Sequence, residues 1–212
     1  MEWLQLALVV VVAYALGAIP NGLLVSRRMG RDLREHGSGK TGATNALRVL
    51  GRGPAVVVLA LDAAKGALAV ALARILLWPD ATWLGTALGV AALAAVVGHI
   101  WSVWIRLFFG AWGGGRGVAT CIGVMLVVHP LVALAGLVIG VTVIALTRYV
   151  SLASILAVTA GLGLTVLLVT LDQIPAAFLP WAVVLGALVV AVHYDNIDRL
   201  LRGTERKIGS KV

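Results

Sequence analysis

The sequence predicts an all-α, polytopic membrane protein of seven transmembrane helices, with its N-terminus outside and its C-terminus in the cytoplasm. Three observations predict this. Hydrophobic residues fill 61% of the 212 positions and charged residues only 12%, against roughly 45–50% and 25% in soluble domains. Apolar runs long enough to cross ~30 Å of hydrocarbon recur along the whole length. The basic residues gather in alternate connections, which sets an orientation. No linker divides the chain, so residues 1–212 read as one membrane-embedded domain. The single cysteine, Cys121, has no partner for an internal disulfide and reads as a small packing residue.

No basic region precedes the first apolar run, and Arg27 and Arg28 follow it. That favours a first span over 3–26 rather than a cleaved leader. Further spans are expected at 54–77, 83–105, 118–129, 131–147, 150–171 and 177–193, with His129-Pro130 punctuating the fourth and fifth. Fifteen of the seventeen Lys and Arg residues fall in 27–53, in 106–117, at Arg148 and in the tail from Arg199 onward. The connections at Trp78-Pro79-Asp80 and Asp172-Gln173-Ile174-Pro175 carry none. Seven spans place all fifteen on the cytoplasmic side. As helix, 118–147 extends only about 45 Å, so two crossings there must both be short or re-entrant. One long tilted helix would put Arg148 outside, against the basic tail.

Three polar segments interrupt the apolar pattern. The first is Glu35-His-Gly-Ser-Gly-Lys-Thr-Gly-Ala-Thr-Asn-Ala-Leu-Arg48. Its glycines let successive N–H groups curl toward an anion. Ser38, Thr41, Thr44 and Asn45 add donors, and Lys40 and Arg48 add charge. Gly-Lys-Thr suggests a phosphate-binding P-loop, but Arg34 stands where the first glycine of that motif is required, so that reading fails. The second segment is Gly98-His99 with Gly113-Gly-Gly-Arg116-Gly-Val-Ala-Thr120, a lone cation among glycines at the opening of an apolar helix. The glycines also suit close helix packing. The third, His193-Tyr-Asp-Asn196 through Lys207, reads as an amphipathic surface helix through Leu200 and Leu201. His193 and Asn196, three apart, can face one site.

Asp62 and Lys65 lie deep in the second span, where ionisable groups are costly and suggest function or a structural ion pair. Arg74 is near enough to the outer end to snorkel. The histidines are scattered and no carboxylate cluster offers a metal site. His193 and Asp198 match a His-x4-Asp pattern, but on one continuous helix they would point about 140° apart. A net charge of +8 fits cytoplasmic loops and also an anionic substrate. An organic-anion transporter would share the basic face. It would also need a polar route through the outer half and commonly internal repeats, and neither is present.

Taken together, these segments resemble the acyl-phosphate:glycerol-3-phosphate acyltransferases of bacteria, the PlsY type, over nearly the whole chain. The resemblance rests on Gly37-Ser-Gly-Lys-Thr-Gly-Ala-Thr-Asn45, Leu61-Asp62-Ala-Ala-Lys65-Gly66, Gly115-Arg116-Gly-Val-Ala-Thr120, Thr147-Arg-Tyr-Val-Ser151 and Gly203-Thr-Glu205. Three departures stand out. Arg116 replaces the usual lysine, Ser102 stands where proline is frequent, and the stretch from His99 to Arg116 is several residues longer. The resemblance implies seven spans in the bacterial inner membrane and an active site facing the cytoplasm. It implies acyl transfer from acyl phosphate to the sn-1 hydroxyl of glycerol 3-phosphate, giving lysophosphatidic acid and phosphate. No cofactor or metal is implied. The expected partners are the two substrates and membrane lipids, with no nucleic acid, and a functional link to the enzyme that makes acyl phosphate.

Two phosphorylated substrates need two anion subsites. A mixed anhydride has a good leaving group, so no covalent nucleophile is required, and positioning and charge stabilisation carry the reaction. Ser38, Gly39, Gly42 and Asn45 are expected to cradle the donor phosphate. Arg48, Arg116 and Ser154 are expected to hold glycerol 3-phosphate. His193 and Asn196 would orient the attacking hydroxyl, with His193 or the departing phosphate taking the proton. Thr41, Lys65, His99 and Glu205 complete the expected substrate-binding set. The acyl tail would lie among apolar helices, entering from the bilayer.

Overall fold

Every regular element among the described residues is helical in the computed structural model, which describes residues 2–76 and 81–209. The connection at Trp78-Pro79-Asp80, which carries no Lys or Arg, and the last basic residue, Lys211, lie outside the described residues. The expected first span is two helices, α1 (Glu2–Gly17) and α2 (Asn21–Arg28). They part at Pro20, which lacks an N–H and clashes with the preceding turn. Within a bilayer the carbonyls freed by such a break must be bonded by protein. Lys65 donates to the Ile19 carbonyl at 2.8 Å, Trp104 Nε1 to Ala15 at 2.9 Å, and Ser102 Oγ to Ala18.

A short helix α3 (Ala43–Leu50) leads through Gly51 into the long α4 (Arg52–Leu76). The third span is likewise broken, into α5 (Ala81–Ile100) and α6 (Val103–Phe109). Ser102 caps α6, its hydroxyl accepting from the Ile105 N–H. The stretch between His99 and Arg116 therefore holds a short helix with its loop. Arg27 and Arg34 stack on Phe109 at 4.2 and 4.6 Å, pinning the α2–α3 loop to α6. The Arg34 guanidinium, hydrogen-bonded to Asp32, holds that carboxyl well below the usual range.

Next come α7 (Val118–Val128), α8 (Pro130–Thr147), α9 (Val150–Thr170), a 3₁₀ turn (Ala176–Phe178), α10 (Leu179–Ala191) and α11 (Tyr194–Leu201). Among the described residues, five helical stretches are long and apolar enough to cross a membrane, and six if α10 with its preceding turn and α11, bent by 54°, form one span. At eleven residues, α7 is about 16 Å long, roughly half the hydrocarbon core. It is sheltered by protein instead. A side chain on Gly66 would strike the Thr120 carbonyl, and one on Gly123 the Ala63 carbonyl, so α4 and α7 approach backbone to backbone.

At His129 the chain turns, and α8 runs back. Its end is tied to the tail: Arg148 donates to the Ile208 carbonyl at 2.6 Å and accepts from the Ile208 N–H at 2.8 Å. Residues 118–147 are thus a helical hairpin and not one long tilted helix. The main core centres on the small residues of α5, with Ala87, Ala91, Ala95 and Val96 almost fully buried against Val9 and Ala13 of α1.

Candidate active site

Four stretches distant in sequence wall one polar pocket enclosing about 640 Å³, part of it open to solvent. They are 38–48, 115–119, 150–154 and 193–205, with Asp62 and His99 at its base. The first stretch is shaped by Asn45, whose Nδ2 donates to the carbonyls of Leu33, His36 and Lys40 at 2.8–3.0 Å. Its Oδ1 accepts the Ser38 N–H at 2.9 Å. Gly37, at φ 64°, lets the loop close on that amide, because any Cβ there would strike Asn45 Oδ1. The loop is then fastened to the second stretch by the Thr41 N–H donating to Gly114. A side chain on Gly115 would collide with the His99 ring.

Arg116 spans the pocket. Its Nη2 donates to both carboxylate oxygens of Asp195, at 2.8 and 2.7 Å, and its Nε to the Val192 carbonyl at 3.3 Å. Asp195 also accepts from Arg199 at 3.1 Å. Arg199 in turn donates to Glu205, which further accepts from Ser151 at 2.8 Å and Asn196 at 2.7 Å. Burial alone would raise the Glu205 carboxyl, but these three donors outweigh it and hold it below the usual range. Arg48 makes no ion pair among the described residues, and burial draws its guanidinium below the usual value while Glu205 opposes that shift.

Two acceptors stand out. His193 Nδ1 lies 2.7 Å from the Val189 carbonyl. A carbonyl only accepts, so Nδ1 carries the proton and Nε2 of the neutral ring is the free acceptor. Asn196 Oδ1 is buried without a hydrogen-bond partner among the described residues, while its amide nitrogen is held by Glu205. A buried acceptor left open is costly; Asn196 Oδ1 is one, and together with His193 Nε2, on a residue that also walls the pocket, it suits a hydroxyl donor. At the base, Asp62 Oδ1 accepts from Asn21 at 3.0 Å and pairs with Lys65 at 3.0 Å. His99 Nδ1 is 3.6 Å away, too far for a hydrogen bond.

The sequence profile of the family described as glycerol-3-phosphate acyltransferase matches residues 7–203. The chain belongs to that family. A Dehalococcoides mccartyi "Glycerol-3-phosphate acyltransferase 3" is 43% identical over 98% of this chain and 97% of its own. A Synechococcus glycerol-3-phosphate acyltransferase is 46% identical over 96% of each. Among solved structures, PlsY (YgiH), an integral membrane glycerol 3-phosphate acyltransferase, aligns in its glycerol 3-phosphate form with TM-score 0.83 and 39% identity, over 96% of both chains. Its lysophosphatidic acid form gives 0.82 and 38%, over 96% of this chain and 95% of the other.

For this glycerol-3-phosphate acyltransferase the structure brings together most of the residues singled out in the sequence. Ser38, Gly42, Asn45, Arg48, His99, Arg116, Ser154, His193, Asn196 and Glu205 all wall the pocket. Three do not. Gly39 serves the turn at φ 69°. Thr41 is buried beneath the loop, its carbonyl against Gly22. Lys65 is buried behind Asp62, its ammonium committed to Asp62 and Ile19, so its depth reflects a structural ion pair.

Asn45 lines the pocket, but all its polar atoms hold the loop. The helix assumed to be continuous through His193 and Asp198 breaks at His193, which precedes α11. Asp198 is exposed and pairs with Arg202 at 2.9 Å, so the two still form no dyad. Ser151 and Asp195, which hold Glu205 and Arg116, were given no site role in the sequence reading. Ser151 sits one helical turn before Ser154, a legible spacing. Asp195 becomes significant only through a contact across 79 positions.

Proposed function

We propose that the enzyme transfers a fatty acyl group from acyl phosphate to the sn-1 hydroxyl of glycerol 3-phosphate, releasing lysophosphatidic acid and inorganic phosphate. The observation that carries this reading is the meeting in one pocket of two open acceptors, His193 Nε2 and Asn196 Oδ1, with the cations Lys40, Arg48 and Arg116. The cations hold two phosphates and the acceptors hold a hydroxyl. The Ser38 loop takes the donor phosphate, and Arg48 and Arg116 take glycerol 3-phosphate. The hydroxyl oxygen attacks the acyl carbonyl carbon, the carbon–oxygen bond to phosphate breaks, and His193 Nε2 accepts the hydroxyl proton. No acyl-enzyme forms and no cofactor takes part. The acyl chain leaves the pocket past Val118 into an adjoining apolar groove, which shares that residue with the polar pocket.

The test supplies purified enzyme with glycerol 3-phosphate and either acyl phosphate or acyl-CoA, with chelator present. Lysophosphatidic acid should form from acyl phosphate alone. Product from acyl-CoA but not acyl phosphate would overturn the donor, dependence on Mg²⁺ would overturn the metal-free reading, and an acylated Ser38 would replace direct transfer by two steps.

The topology proposed is seven crossings, counting the sheltered α7, in the bacterial inner membrane with the pocket facing the cytoplasm. It is supported by the basic distribution and by the hairpin of α7 and α8, which starts at the pocket with Val118 and leads straight into the pocket-lining start of α9. Reporter fusions at positions 40, 113 and 205 should all score cytoplasmic. An external score at 205 would sink the seven-span order.

A further inference from the structure

The apolar groove that meets the polar pocket at Val118 runs between α7, α8, α9 and α10 and encloses about 640 Å³, part of it open. Thr165 is the one hydroxyl residue on its walls, and its Oγ1 is bonded to the Gly161 carbonyl at 2.8 Å. Three glycines in helix interiors face this space: Gly136 on α8, Gly161 on α9 and Gly186 on α10. Glycine there costs helix stability relative to alanine. None of the three adopts a positive φ, so the backbone does not require it. Nor does close packing. A Cβ on Gly136 would stand 3.9 Å from the Ala157 carbonyl, on Gly161 3.6 Å from Val132, and on Gly186 3.4 Å from Leu162, all ordinary contacts. Gly66 and Gly123 differ, because backbone atoms block any side chain there. What the three glycines preserve is the width of the groove.

Their depths differ. On α9, Gly161 lies seven residues beyond Ser154 of the polar pocket, about 10 Å along the helix. Gly186 lies seven residues before His193 on α10, at a similar depth. Gly136 faces Ala157, only three residues beyond Ser154, and so lies nearer the mouth. Met125 and the fully buried Phe178 also wall the groove.

We infer that Gly136, Gly161 and Gly186 set the acyl chain length that the enzyme accepts, by keeping open at graded depth the groove that receives the donor's hydrocarbon tail. This rests on the groove assignment made above. Filling a glycine position with a branched side chain shortens the usable groove from that depth onward. A methylene denied burial is worth about fourfold in binding.

The experiment measures kcat/KM for a series of saturated acyl phosphates of increasing length, with wild type, Gly161→Val, Gly136→Val and Gly163→Val. Gly163 is on the same helix with open space around it and does not wall the groove, so its variant controls for valine in α9. Gly161→Val should lose roughly tenfold on the longest donors relative to the shortest, with the KM for glycerol 3-phosphate unchanged. Gly136→Val should move the loss to shorter donors, and Gly163→Val should keep the wild-type profile. If a valine variant does not purify folded, Gly161→Ala and Gly186→Ala should show the same shift at smaller size. A wild-type length profile in the folded Gly161 and Gly136 variants overturns the inference and leaves the reaction intact. A wild type inert with every acyl phosphate overturns the donor instead, and the same series as thioesters then reads the groove independently.

Discussion

Of the ionic networks among the described residues, two adjoin the pocket, and they use charge in opposite ways. The inner one joins Asp62, Lys65 and Asn21 beside His99, and Asp62 and Lys65 are 2% and 6% exposed. Its cation is spent on one carboxylate and one backbone carbonyl. The outer one joins Arg116, Asp195, Arg199 and Glu205, with Arg116 17% and Asp195 33% exposed. Arg116 and Glu205 face the pocket that also holds Arg48, which has no ion pair among the described residues, and the open acceptors of His193 and Asn196, while Asp195 and Arg199 line an adjoining pocket beside Arg48. The inner network closes a gap in the backbone left by Pro20. Under the proposed function, the outer one presents charge to an anion. In a membrane protein, then, a buried charge marks a substrate site only when its hydrogen-bonding capacity is not already consumed by the fold.

The sharpest way to break the comparison is to remove Asp62. Asp62→Ala should destabilise by about 3–5 kcal/mol, because it leaves the Lys65 charge buried without a partner. Thermal unfolding in detergent would show this as a large drop in Tm. A folded Asp62→Ala protein with wild-type stability but no turnover would instead make the inner network part of the chemistry.

Arg116→Ala should behave oppositely. The fold should persist while activity falls about 10–150-fold, the loss of roughly 1.5–3 kcal/mol for a charge-assisted contact. Arg116→Lys should keep much of the activity. Wild-type turnover in Arg116→Ala would remove it from the site.

The smallest effect concerns pH. Glu205 has a carboxyl held below its usual 4.5 in the folded state. Its donors therefore stabilise the fold above about pH 4.5, and that contribution is lost as pH falls through the lower folded value. Glu205→Gln should cost stability at neutral pH, and its Tm should converge on that of wild type in acid. Parallel Tm curves across pH would show that Glu205 is not linked to folding in this way.

Much of this was legible from the chain. Glycine-rich loops with hydroxyl, amide and basic side chains are rare in an apolar sequence, so the Ser38–Arg48, Gly115–Arg116 and His193–Glu205 stretches announced themselves. Most of the helical spans were equally clear, because apolar runs and basic connections report the bilayer directly. Less legible were the breaks at Pro20 and Ser102. The hydropathy of 3–26 and 83–105 is continuous, and what permits each break is a donor from another helix. Lys65 was misplaced for the same reason: depth in the bilayer was visible, but its partner at Ile19 was 46 positions away.

The sequence by itself determined the membrane character, the positions of most helices, the family and most of the residues that line the pocket, because each of these is set by local composition or by short motifs. Only the tertiary structure decided how 118–147 is traversed, which cation is spent and which is available, and that Asp195 is the partner of Arg116. Those depend on hydrogen bonds and on backbone contacts at Gly66 and Gly123. They join residues far apart in the chain, and no local pattern encodes which donor will meet which acceptor.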